Sequence, residues 1–238
     1  MKRGFLLVVA LCAMVPAGLL SQDADADRAP SLLRQGDSLM KEKKPEQAEP
    51  IFRKATTLAP KNALAFYYLG VSEMSLSKDL AATEAMETAL KLDAASPGLL
   101  RRQRRECIDI LGLAYANMKQ YDKAMAVYAD AVAKDPEYAN FPYNQACICS
   151  QAGDRKTALA ALWKALTLDA QSDLGRTLPD PGADQDLKGL WGDPVFHAIL
   201  IASQNPQPND GPGMSLGREG ARRLATGDAA GAVEAITA

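Results

Sequence analysis

The chain predicts an all-α solenoid of antiparallel helix pairs, and three observations lead there. One set of small, bulky and helix-ending residues recurs: Gly36, Ala48, Phe52, Ala55 and Pro60 return 34 residues later as Gly70, Ala82, Met86, Ala89 and Ala94. The same spacing runs through Gly112, Ala124, Tyr128, Ala131 and Pro136, and again through Ala146, Ala158, Leu162, Ala165 and Ala170. A period of this length built from two helices is the signature of stacked repeats. Within each unit apolar residues step at i, i+3, i+4 and i+7, as in Leu32, Leu33, Gly36 and Leu39 or Ile108, Leu111, Gly112 and Tyr115, which is helical periodicity. A short polar turn then splits each unit in two: Lys43-Lys44-Pro45, Ser77-Lys78-Asp79, Lys119-Gln120-Tyr121 and Gly153-Asp154-Arg155.

Residues 1–26 read as an export signal. Lys2 and Arg3 precede the uncharged run Phe5 to Leu20, and small residues then offer cleavage at Val15-Pro16-Ala17 or Ala24-Asp25-Ala26. The run falls short of the roughly 20 residues that span a bilayer comfortably. Membrane attachment is therefore expected only as an uncleaved N-terminal anchor, the alternative to cleavage. Cys12 lies inside the run, behind the large Leu11, and leaves with it.

The 238 residues carry 27 basic and 29 acidic side chains, a net charge of −2. So even a balance gives no general pull towards nucleic acid or anionic lipid. Beyond the signal remain Cys107, Cys147 and Cys149, an odd number, so at most one intramolecular disulfide can form.

Four units follow, over 29–62, 63–96, 105–138 and 139–172. Small residues let the two helices of a unit approach closely, Phe52, Tyr128 and Leu162 fill the gap to the neighbouring unit, and Pro60 and Pro136 stop the second helix because proline has no amide hydrogen. The step from Gly70 to Gly112 is eight residues too long. The surplus, Pro97 to Arg104, reads as a break followed by extra turns on a protruding helix.

Over residues 29–170 this pattern resembles the tetratricopeptide-repeat family. Unit three matches best; unit two departs with Glu73 where a large apolar residue is usual, and unit four with Pro142 early in its first helix. The resemblance implies a right-handed superhelix whose first helices form a groove for a peptide or helix of a partner protein. Some family members hold acidic chaperone tails there through a clamp of lysine and asparagine; here the matching positions include Leu33, Tyr68 and Val71, so that role is disfavoured.

Residues 173–203 look like the tail that closes the array in many bacterial members. Asp193 is placed to cap a helix beginning at Pro194, with Phe196, Ile199 and Leu200 on one face. A linker by composition covers 204–213. Residues 214–238, with Gly220, Gly227 and Ala232 in the repeat spacing, begin a partial fifth helix pair.

The expected partner-binding groove comprises Leu64, Tyr67, Val71 and Met74, then Asp109 and Leu113, then Tyr143 and Cys147. The alternative use of these side chains is packing on one another or on the tail. Arg101, Arg102, Arg104 and Arg105 form a basic patch, read either as a grip for an acidic or phosphate-rich partner or as a solvated face. Cys147 and Cys149 point about 200° apart on a helix and cannot readily bond to each other or share a metal. His197 is the sole histidine, which leaves no Ser-His-Asp or Cys-His pattern beyond it, and no metal-ligand spacing or phosphate loop accompanies it. The expectation is a protein-binding scaffold of the periplasm or cell envelope, with no cofactor, no metal and no nucleic acid. Two other readings stand beside it: self-association through the C-terminal half-unit, and a thiol-based enzyme acting through Cys147.

Overall fold

The structure, a computed structural model, describes residues 28–172, 177–204, 223 and 231. Eight helices form four consecutive pairs: α1 (Ala29–Lys41) with α2 (Pro45–Leu58), α3 (Ala63–Ser75) with α4 (Asp79–Ala95), α5 (Arg101–Asn117) with α6 (Tyr121–Lys134), and α7 (Asn140–Ala152) with α8 (Arg155–Ala170). A 3-10 helix (Gln185–Leu190) and α9 (Pro194–Gln204) follow. Each helix packs on the next in sequence, and the first helices also touch in series, α1 on α3, α3 on α5 and α5 on α7. That is an α-solenoid of helix pairs. The signal, the linker and nearly all of the partial fifth pair lie outside the described residues.

The repeated small residues have a direct reason. A Cβ at Gly36 would lie 2.3 Å from the Phe52 ring, and one at Gly112 2.4 Å from the Tyr128 ring. Phe52 is fully buried and Tyr128 nearly so. Each ring therefore occupies the space a side chain on the partner helix would need.

The turns inside the units share a conformation. Lys43, Ser77 and Lys119 adopt left-handed φ values of 57°, 54° and 58°, and Gly153 takes 80° in the same register. Only the fourth turn uses the residue that enters this region without steric penalty. Helix starts are set by Asn62, whose side chain accepts from the Leu64 and Ala65 amides, and by Asp154, which accepts from Thr157. Asp193 accepts from the Val195 amide at 2.8 Å, with Pro194 as the first helical residue of α9.

The long step between units two and three resolves into a loop and one extra turn of α5. Asp93, buried at the end of α4, accepts from the Gly98 and Leu99 amides at 2.8 Å each and from Arg104 Nε at 2.7 Å. Burial works against this carboxylate, but those bonds outweigh it and hold its carboxyl below its ordinary value. The extra turn is thus fastened to the array.

Candidate functional site

Contact between successive first helices puts one face of α1, α3 and α5 side by side. On α3 the i, i+3, i+4 spacing aligns Leu64, Tyr67, Val71 and Met74, and on α5 it aligns Glu106, Asp109 and Leu113. Leu113 is 45% exposed, while Leu64, Val71 and Met74 are half-buried. Tyr67 is buried instead, and its hydroxyl donates to Glu106 at 2.7 Å, tying α3 to α5. Burial, with Glu106 beside it, pushes the Tyr67 hydroxyl far above its ordinary value, so it remains a donor. Tyr68 stacks on Phe52 with ring centres 5.2 Å apart. The face is therefore apolar patches set among oriented polar groups.

Asp109 is a perturbed carboxylate among those groups. Burial raises its carboxyl to about 6, Asn144 opposes this by donating to Oδ1 at 2.8 Å, Glu106 adds to it, and Arg105 opposes it. The backbone carbonyl of the same residue accepts from the Tyr128 hydroxyl at 3.1 Å. Asp109 thus joins α5 to both α6 and α7.

The fourth unit departs from the sequence expectation. Tyr143 donates to Asp184 at 2.6 Å, and Cys147 Sγ lies 4.0 Å from the same oxygen. Leu187 and Leu190 of the 3-10 helix share one buried cluster with Tyr143 and Cys147. A Cβ on Gly189 would sit 3.3 Å from Ser150 Oγ, so the tail lies directly on α7. Tyr143 and Cys147 are packing contacts, and the open part of the face ends at Leu113. This pairing spans 41 residues of sequence, beyond any local pattern.

The thiols follow suit. Cys107, Cys147 and Cys149 are buried and free. Burial pushes the Cys107 thiol up to about 12 and Cys149 to about 11, and drives Cys147 higher still with Asp184 and Asp186 adding to it. A reactive thiol needs the opposite shift. Cys147, Asp184 and Asp186 place donor atoms within 4.8 Å of one another, but Tyr143 already engages Asp184. His197 packs edge-to-face against Phe196 at 5.9 Å between ring centres.

The basic patch is tied into the array by ion pairs. Arg101 and Arg105 both bond Asp135, and Arg104 bonds Asp93. Arg102 is exposed and within electrostatic reach of Tyr68. Three of the four arginines therefore spend part of their donor capacity inside the array.

Those bonds expose a signal that sequence reasoning missed. Asp93, Asp135 and Asp169 occupy one register, near the end of the second helix of units two, three and four. Asp169 accepts from the Thr177 amide and hydroxyl at 2.8 Å each. Each aspartate grips the segment that follows it or the helix beside it. Its recurrence in step with the glycines was visible in the sequence.

The fold and the open face of first helices define a helical-repeat scaffold, one whose usable surface is a row of exposed side chains. Models of the tetratricopeptide repeat match residues 29–62 and 106–138. The chain therefore carries tetratricopeptide repeats, matched in its first and third helix pairs. Among solved structures, a crystal structure of MamA is 24% identical with a TM-score of 0.55, over 63% of this chain and 82% of that one. MamA from its residue 41 to the end, from Desulfovibrio magneticus RS-1, is 17% identical with a TM-score of 0.54, over 89% and 92%. PilF of Pseudomonas aeruginosa is 19% identical with a TM-score of 0.53, over 90% of each chain. These likenesses concern the fold. A comparison with curated protein sequences gave no match.

Proposed function

We propose that this chain is an exported, non-enzymatic adaptor that binds an extended or helical segment of another protein along α1, α3 and α5. One observation carries the reading: Leu113 stands exposed on the same face as half-buried Leu64, Val71 and Met74, beside the ordered Tyr67–Glu106 and Asp109–Asn144 pairs. An apolar strip with a polar border suits a partner segment whose side chains fill the strip while the border sets its direction. Export is supported by Lys2, Arg3 and the apolar run to Leu20.

The test is a photo-crosslinking amino acid placed at position 113 or 74 of the full chain in its native cells, with position 80 as control. Leu80 is 64% exposed on α4, a second helix of its unit. Adducts with another protein from positions 113 and 74, lost with Val71→Arg and absent from position 80, are expected. Equal adducts from position 80, or self-adducts alone, would overturn the adaptor reading. The same cells report on export: a mature mass beginning after Ala17 or Ala26 is expected, and an unprocessed chain confined to the cytosol would refute it.

A further inference from the structure

On the side of α5 that turns towards α6, roughly a third of a helical turn from Glu106 and Leu113, lies a cavity of about 300 Å³. Arg101, Arg104, Arg105, Lys134 and Asp135 wall it, and Ile108, Ala131 and Phe141 give it an apolar part. Four cations share it with one carboxylate. Like charges so gathered repel, and the surrounding bonds show what holds them in place.

Asp135 takes Arg105 through two bonds, Nε at 2.7 Å and Nη2 at 3.1 Å, and Arg101 Nη2 at 2.7 Å. The Arg105 guanidinium also lies 3.9 Å from the centre of the Tyr138 ring, a cation–π contact. Arg104 is anchored by Asp93, which does not line the cavity, and by the Leu99 carbonyl at 3.3 Å. Lys134 pairs with Asp130 at 2.8 Å, but both side chains are largely exposed, and such a pair contributes little. A guanidinium carries five N–H donors. These bonds use one on Arg101 and two each on Arg104 and Arg105, so each group is fixed in position with donor capacity in hand.

We propose that this cavity binds a small phosphomonoester carrying an apolar group. A phosphomonoester brings nearly two negative charges and three strong acceptor oxygens, more than one carboxylate offers to three guanidinium groups and an ammonium. Arginine forks suit phosphate geometry, and half-buried Ile108 with the aliphatic stems of Arg104 and Arg105 would cover the apolar body. The volume lies at the low end of small-molecule sites, which limits the ligand to about one ring and its phosphate. The site is independent of the groove and stands whether or not a protein partner binds there.

The test is isothermal titration calorimetry of the full chain with phenyl phosphate at low ionic strength. Expected are one-site binding, weaker binding of inorganic phosphate, and a loss of about tenfold or more in Arg101→Gln/Lys134→Gln. Lys134→Gln alone, which leaves every arginine bond intact, should weaken binding several-fold and guards against a folding effect. Lys54→Gln/Lys61→Gln removes the same charge elsewhere and should leave the affinity unchanged. No binding by the natural chain, equal losses in the two double variants, or inorganic phosphate binding as tightly as phenyl phosphate would each overturn the proposal.

Discussion

A carboxylate pressed into a helix–helix contact destabilises the fold unless its bonds replace the water it gives up. Asp109 has one side-chain donor, Asn144, and its carboxyl stands at about 6 against an ordinary 3.8. With the folded value above the unfolded one, the native state binds more protons between those pH values, so stability falls as pH rises through that window. The penalty is absent below the lower value and complete above the upper one. Its size is about 1–3 kcal/mol. Asp109→Asn keeps an oxygen to accept from Asn144 and loses the charge. Urea unfolding at pH 4 and pH 8 should show the natural chain losing stability across that span relative to the variant. Parallel pH profiles would sink this account. Glu73 is a second such carboxylate, raised by burial, with one oxygen bonded by Arg53 at 2.7 Å and Oε2 unpartnered. The sequence marks Glu73 as a departure from the repeat pattern, but not its tie to Arg53, because that bond joins different units.

Between elements, the close approach of paired helices is set by what faces each glycine. At Gly112 an added Cβ meets the Tyr128 ring at 2.4 Å, and the ring is buried and bonded through its hydroxyl to the Asp109 carbonyl. At Gly70 the nearest atom is the Met86 methyl at 2.8 Å, the end of a flexible side chain. Alanine also gains roughly 1 kcal/mol of helix propensity over glycine at either position. Gly112→Ala should therefore destabilise by about 1–3 kcal/mol, whereas Gly70→Ala should fall within about 1 kcal/mol of the natural chain. Equal losses in thermal unfolding would show that the ring yields as easily as the thioether. The contrast explains what the sequence makes legible. Glycine and its filler sit 16 residues apart within one unit, so fold class and family are readable from a local period. Tyr143–Asp184, Arg105–Asp135 and Tyr67–Glu106 join residues 30 to 41 apart. Tyr67–Glu106 and Tyr143–Asp184 depend on how a unit meets its neighbour or the tail, and Arg105–Asp135 on how the two helices of unit three lie together; no window of one helix encodes either. For that reason the sequence places Tyr143 and Cys147 in the groove with packing on the tail only as the alternative, and reads the arginines as one patch.

At the scale of the whole molecule, a solenoid is held by neighbour contacts, so its stability is close to a sum of units and interfaces. Among the described residues the last unit has a neighbouring unit on one side only, and the tail covers the other. Val195, Phe196 and Ile199 of α9 join Leu159, Leu162 and Leu166 of α8 in one buried cluster. Asp169–Thr177 and Tyr143–Asp184 pin the tail along its course, and Arg155 pairs with Asp193 at the start of α9. Phe196 is 1% exposed, so Phe196→Ala should remove about 3–5 kcal/mol from this interface. Because α1 and α2 pack chiefly on each other and on α3, the loss should not spread evenly. Native-state hydrogen exchange should show faster exchange in α7 and α8, with α1 to α4 little changed. Uniform acceleration across all eight helices would mean that the array unfolds as one block and that the tail stabilises the whole solenoid. Unchanged protection in α8 would mean that the tail rests on the last unit without supporting it. The expected gradient makes the tail a local cover, one that leaves the open face of α1, α3 and α5 in place while closing the unit beside it.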